Sequence, residues 1–396
     1  MNKLKGRCVF AQSGGPTTVI NASIAGGLLQ ALEEESVTGV LCAHHGIKGV
    51  LDEDFFDIGK EDKEELLALK HTPASAFGSV RYKLKNPDEN DEDYRRILEV
   101  FKKYDVRYFF YNGGNDSMDT CDKISKYMQN SGYDINVIGI PKTIDNDLCG
   151  TDHCPGYGSA AKYIANSIME INRDAVIYGS PLVIVVEIMG RNAGWLAAAS
   201  KLAEVGGYGA DLIYLPELPF SYEKFKSDVK KVTDRKKICI VAVSEGIRFA
   251  NGKYVGDDGS MTDAFGHSQL GGVCGVLKAK VKELGLKCKA IELNILQRCA
   301  AHCASETDVE ESFAAGRQAV KAAVGGETDK MISFKRKDGS NYDIEYVATP
   351  LSAAANAEKT IPLEWITDDG TNLSDEFVNY ALPLINGEPK RRMKNG

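Results

Sequence analysis

The sequence predicts an α/β protein of the doubly wound type, with mostly parallel sheets covered by helices on both faces. Three observations lead there. Short β-branched runs alternate with helical patterns along almost the whole chain. The runs are continuously apolar, as strands buried on both faces must be, rather than alternating as a half-solvated sheet requires. Polar, Gly-bearing segments follow the runs directly, at the C-terminal strand ends where ligands of open α/β sheets bind. With 396 residues, the chain is long enough for two domains with well-developed cores.

Taken in order, CVFAQ (8–12) reads as a strand, followed by a Gly turn and a helix over about 18–34. VTGVLCA (37–43) is the next strand. RYFFY (107–111) precedes a second Gly turn and a helix over 117–128, with Ser117 suited to its N-cap. NVIGI (136–140) leads through a loop to a helix over about 159–173, and LVIVVEI (182–188) to a helix over 193–203. ADLIYL (210–215) and ICIVAV (238–243) continue the series. No short-period repeat interrupts it, and the basic tail PKRRMKNG reads as a solvated terminus.

Composition narrows the function. Hydrophobic residues make up 43% and charged residues 26%, the balance of a globular protein. Lys and Arg number 48 against 56 Asp and Glu, a net charge of −8, so nothing general attracts the chain to nucleic acid or anionic lipid. Anionic substrates would need positive charge concentrated locally, on single Arg and Lys residues near Gly-rich turns. The N-terminus has no long apolar region and no stretch of about 18 apolar residues occurs, so a cytoplasmic location is expected. The ten Cys lie mostly in apolar or helical runs, as reduced thiols do. Two clusters, Cys149 to Cys154 with Asp152 and His153, and Cys299 with His302 and Cys303, lack the paired spacing of a structural zinc site.

Five strand-end segments carry the chemistry. In QSGGPTT (12–18), Gly14 and Gly15 let backbone N–H groups approach an anion at a helix N-terminus, though many tight turns share a Gly pair. The segment is neither a Walker A sequence nor GxGxxG. YNGGNDS (111–117) repeats the arrangement. Its Asp116 is either a turn residue or a carboxylate that holds a metal or excludes further negative charge. PKTIDND (141–147) offers Lys142 as a mobile cation for phosphate and Thr143 as a donor. Its Asp145 and Asp147, two apart, share a face if the segment is extended. One can then accept a proton from a hydroxyl while the other binds a metal or orients its neighbour; an Asx-rich turn is the plain alternative. EIMGRNAG (187–194) places Arg191 where a guanidinium can stabilise transferring phosphoryl oxygens. Arg81 in FGSVRYK is a similar cation, and SEGIR (244–248) exposes Glu245 to sugar hydroxyls. Their common position at strand ends favours one phosphate-and-sugar site.

These segments, with GYGSAAKYIA (156–165) and LNILQR (293–298), occur in the order found in the phosphofructokinases, and the chain resembles that family from about residue 12 to 305. The resemblance implies two Rossmann-like lobes. It places a donor lobe at 1–155 with a returning segment near 299–350, an acceptor lobe at 156–298, and a C-terminal stretch, 351–396, packed across them. Two positions are similar to the pyrophosphate-dependent branch: Asp116 and Lys142 stand where ATP-dependent members carry Gly. Asp116 would meet the α-phosphate of a nucleotide, while Lys142 would compensate charge on pyrophosphate. The implied reaction is Mg²⁺-dependent, reversible phosphoryl transfer from pyrophosphate to the 1-hydroxyl of fructose 6-phosphate.

By the same resemblance Gly15, Arg81 and Lys142 face the donor. Thr143, Ile144 and Asp145 bind the acceptor, with Asp145 as base. Met189, Gly190, Arg191 and Glu245 hold the sugar, Arg298 its 6-phosphate, and Asn115 and Asp116 the metal. Three departures stand out. Asn115 replaces the family's metal-associated Asp. Leu182 replaces an Arg offered to a neighbouring subunit. Ile295 replaces a His of the 6-phosphate pocket, and Lys289 stands for a further Arg. Leu182 and Ile295 motivate an alternative acceptor, sedoheptulose 7-phosphate or a polyol such as myo-inositol. Asn115 motivates a silent sugar-phosphate-binding regulatory subunit. A homodimer or homotetramer is implied as well.

Overall fold

The computed structural model describes residues 4–177, 179–256, 272–339, 341–355 and 357–391, so most of the basic tail lies outside the described residues. The chain is α/β, with eleven strands in two sheets among the described residues: β1 Gly6–Gln12, β2 Val37–Ala43, β3 Phe55–Asp57, β4 Val106–Gly113, β5 Asn136–Pro141, β6 Leu182–Ile188, β7 Leu212–Tyr214, β8 Ile238–Ser244, β9 Cys288–Glu292, β10 Lys330–Arg336 and β11 Ile344–Pro350. The first sheet has the order β11-β10-β5-β4-β1-β2-β3 and the second β7-β8-β6-β9. The central pairings are parallel, and β3 and β11 close the edges of the first sheet antiparallel. Among the described residues no helix is long and apolar enough to cross a membrane.

The continuously apolar runs are buried as expected: every residue of β6 and β8 is buried, and Val9, Phe10 and Ala11 of β1 are inaccessible. Helices on both faces cover them. The helix Ile20–Glu33 packs against Glu306–Val324, and the contact is backbone to backbone. A Cβ at Gly316 would stand 1.8 Å from the Ser23 carbonyl oxygen, and one at Gly26 1.9 Å from that of Phe313. Only residues without a side chain allow the returning helix to sit so close. It then delivers β10 to the edge of β5, with Lys330 opposite Ile138.

The chain leaves the first sheet through the helix Tyr157–Val176, whose N-terminal N–H groups are capped by a distant carboxylate. Asp308 accepts from Gly156 N and Ser159 N, each at 2.9 Å. Burial raises the Asp308 carboxyl, and those N–H groups oppose the rise.

Two local expectations are corrected. The helix after β4 runs Asn115–Asn130, with Gly114 as its N-cap. Ser117 is therefore inside the first turn, its own N–H already donating to Gly114 O at 3.0 Å. The helix expected over 193–203 begins at Trp195, because the Gly194 N–H is taken by Glu217, and turns 3-10 over Ala199–Gly206.

Candidate active site

Strands β1, β4 and β5 are neighbours and parallel, so their C-terminal ends emerge side by side, Gln12 opposite Asn112 and Gly113 opposite Pro141. Three of the five segments thereby meet at one edge. Gly14 takes φ 77°, which turns its carbonyl to accept from Ser79 Oγ at 2.6 Å and draws the 77–81 loop to the same edge. Lys142 N donates to Gly113 O at 3.0 Å, and Lys142 Nζ reaches back to Gly15 O at 2.7 Å. Arg298 comes from the other lobe: a Cβ on Gly15 would stand 2.9 Å from its Nη1.

Lys142 is buried, and burial holds its ammonium down to about 8; Asp145 and Asp147 oppose the shift, while Arg298 and Arg81 add to it. Three cationic side chains thus converge on the Gly14–Gly15 turn, the arrangement of a cradle for a polyanion. Arg81 itself is exposed, and Asp116 is exposed in the first turn of Asn115–Asn130.

The 141–147 segment is a turn rather than the extended strand on which the shared face of Asp145 and Asp147 was argued. Asn146 sits at φ 55°, a left-handed conformation that Asn tolerates better than most residues. Its side chain holds it there, Oδ1 accepting from Cys154 N at 2.9 Å and Nδ2 donating to Tyr380 OH at 2.8 Å. Ile144 is buried in the core of the second lobe with Ile188 and Trp195. Between these anchors the carboxylates are close enough to interact. Burial first, then Glu245, raises Asp145 against the pull of Lys142 and Arg191; burial and Asp145 raise Asp147.

Asn115 Nδ2 donates to Asp147 Oδ2 at 3.2 Å, while the other two oxygens, Asn115 Oδ1 and Asp147 Oδ1, are buried without a hydrogen-bond partner among the described residues. A hard divalent cation takes oxygen ligands of this kind. The sequence assigned the metal to Asn115 and Asp116; the orphaned oxygens are those of Asn115 and Asp147.

On the opposite wall β6 and β8 end together, Ile188 opposite Ser244. Gly190, at φ 132°, donates to Glu245 Oε1 at 3.4 Å and accepts from Ser244 Oγ at 2.5 Å. Met189 N donates to Gln297 Oε1 at 3.2 Å, so the buried Gln297 ties the 189–191 turn to the turn that carries Arg298. Burial and the Glu187 charge push Glu245 up to about 7, against the Gly190 N–H and Arg191. Because the Arg191 charge acts on both Asp145 and Glu245, the two walls face one cleft.

Other expected residues fall elsewhere. Leu182 begins β6, at the end of the strand away from Met189, and Lys289 is an exposed residue of edge strand β9, paired with Ile184. Ile295 is more than half exposed. Neither cysteine cluster gathers ligands: His153 is held between Asp152 at 2.8 Å and Glu311 at 2.7 Å. The group Glu187, Cys274 and Glu292 lies together, but the Glu187 oxygens accept from Gly272 N and Cys274 N, as a cap does.

Sequence reasoning missed Gln297, although it lies inside the quoted segment LNILQR.

A phosphofructokinase family profile matches residues 7–323. The chain is 44% identical over 393 residues to the pyrophosphate--fructose 6-phosphate 1-phosphotransferase of Halomonas elongata, covering 98% of this chain and 93% of that one. It is 46% identical over 384 residues to the enzyme of the same name from Methylococcus capsulatus, covering 96% and 91%. The crystal structure of pyrophosphate-dependent phosphofructokinase from Nitrosospira multiformis superposes with a TM-score of 0.90 at 41% identity, covering 99% of this chain and 94% of that one.

Proposed function

The chain belongs to the phosphofructokinase family, and on that premise we propose that it transfers a phosphoryl group reversibly from pyrophosphate to the 1-hydroxyl of fructose 6-phosphate. The observation that carries the reading is the buried Lys142, hydrogen-bonded to Gly15 O and one turn from Asp145. A buried ammonium beside this turn suits a donor with adjacent phosphates, and Asp116, not Lys142, carries the exclusion of a longer nucleotide.

In this reading Lys142, Arg81 and Gly15 hold the pyrophosphate. Asp116, at the mouth of the helix, adds charge and bulk where a longer nucleotide would pass. Asp145, whose carboxyl is more basic than usual, takes the proton of the attacking hydroxyl. Thr143 and Ile144 position that loop, and Arg191 offsets charge on the transferring oxygens. Met189, Gly190 and Glu245 hold the sugar. Arg298, which the resemblance gives to the sugar 6-phosphate, lies close to both Gly15 and Lys142, and this favours a place for it between the two substrates. We assign Mg²⁺ to Asn115 and Asp147; when bound it supplies positive charge to the phosphate oxygens. The donor lobe is the first sheet with its returning strands, the acceptor lobe the second. We further propose a cytoplasmic homodimer or homotetramer, supported by the exposed apolar side chains of Val176, Ile177, Ile295 and Leu296.

Steady-state assays with pyrophosphate or ATP against fructose 6-phosphate, sedoheptulose 7-phosphate and myo-inositol test the reading. Turnover with pyrophosphate and fructose 6-phosphate is expected to exceed every other pair at least about tenfold in kcat/KM, a difference of about 1.4 kcal/mol. Faster turnover of the polyol, or of ATP, overturns it.

A further inference from the structure

The C-terminal segment returns to the cleft and is bonded to both of its walls. On the first side, Glu358 bridges to Leu148, and Lys359 N donates to Asp147 O at 2.7 Å. On the second, Trp195 Nε1 donates to Lys359 O at 2.8 Å, and Ile361 N to Glu217 Oε1 at 3.0 Å. Glu217 Oε1 also accepts from Gly194 N, inside the segment that carries Arg191.

Between these backbone bonds stands the Glu358 side chain. Its Oε1 accepts from Asn192 Nδ2 at 3.0 Å. The other end of that amide is engaged too, Asn192 Oδ1 accepting from Tyr254 OH at 3.1 Å and Arg248 Nη2 at 3.5 Å. With Oδ1 held by donors, the NH₂ group has one direction left, toward Glu358. Asn192 adjoins Arg191, and the Glu358 carboxylate is close enough to Asp145 and Asp147 for its charge to act on both.

We propose that Glu358 is a positioning residue for phosphoryl transfer: by holding Asn192 it fixes the Arg191 turn against the loop of Asp145 and Asp147. The inference rests on the transfer reaction proposed above. Glu358 does not touch the reacting atoms in this account. It acts chiefly through the Asn192 amide, and its charge adds a smaller contribution at Asp145 and Asp147.

The full chain and its Glu358→Ala, Glu358→Gln and Asn192→Ala variants, assayed with pyrophosphate and fructose 6-phosphate, test this. Glu358→Ala is expected to lower kcat about tenfold to a hundredfold, the range that misplacement of a reacting group produces. KM for pyrophosphate stays within about twofold. Glu358→Gln keeps an oxygen for the amide and restores kcat to within about threefold of the parent. Asn192→Ala, a check from the other side of the bond, matches Glu358→Ala, and the double variant is no worse than either single one. Unchanged kcat in both alanine variants, a glutamine variant as impaired as the alanine one, or additive losses would each overturn the proposal. A parent chain that turns over no pyrophosphate would overturn the functional reading instead.

Discussion

Lys142 is an ammonium held in a place that disfavours its charge. The displacement of its pKa from 10.5 to about 8 amounts to about 3 kcal/mol, which a bound polyanion returns as attraction. The sign of the pH dependence follows. In the proposed donor site the cation is the form that binds pyrophosphate, and it is lost in the free enzyme as pH rises past about 8. Accordingly kcat/KM for pyrophosphate, which reports the free enzyme, should fall through that region. In Lys142→Arg the guanidinium stays charged, so the alkaline fall should move above about pH 9 even if the plateau is lower. Profiles of the two proteins over about pH 6.5–9.5 decide it, and an unmoved limb would remove Lys142 from the donor site. At this scale the sequence was most readable. Lys142, Asp145 and Arg191 are chemically conspicuous and sit where strands end. Glu358 was not, because its place depends on a segment more than two hundred residues along the chain threading between two lobes.

Among the elements, strands were legible and turns less so. Continuous apolar runs predict β6 to the residue, since burial on both faces leaves little freedom in composition. The 141–147 segment misled because periodicity assumes a regular backbone, whereas Asn146 turns it at positive φ through bonds to Cys154 and Tyr380. Helix packing yields a contrast that periodicity also misses. Two helical glycines read alike in sequence, yet a Cβ at Gly316 would stand 1.8 Å from the Ser23 carbonyl oxygen, whereas one at Gly275 would meet nothing within 4 Å among the described residues. Intrinsic propensity favours Ala over Gly in either helix by about 1 kcal/mol. Gly275→Ala should therefore stabilise the chain by about 0.5–1 kcal/mol. Gly316→Ala should destabilise it, since the helices must part, at a cost of about 1–3 kcal/mol for overpacking. Urea unfolding midpoints measure both, and equal signs would mean the crossing is looser than described.

The whole molecule is closed by contacts from the end of the chain onto the 141–155 region. Such long-range closure leaves little trace in local sequence, which explains why the β10–β11 return could be placed only by resemblance. His153 is its buried centre, bonded to Asp152 on one side and, through Nε2, to Glu311 on the returning helix. Arg336 from β10 donates to the same Asp152, and Tyr342 to Glu311 at 2.7 Å. Burial disfavours the imidazolium, but the two carboxylates outweigh it and the His153 pKa is raised; the Asp152 carboxyl, despite its own burial, falls to about 2. A raised histidine contributes stability that is fully present below its unfolded value near 6.5 and is lost as pH rises through the folded value. Asp152 works the other way, adding stability above its unfolded value, so of this pair only the histidine contribution changes between neutral and mildly alkaline pH. The urea-midpoint advantage of the parent chain over His153→Gln, which cannot titrate, should consequently shrink between about pH 6.5 and 9. Parallel slopes in the two proteins would show that the clamp on His153 carries no proton across the transition.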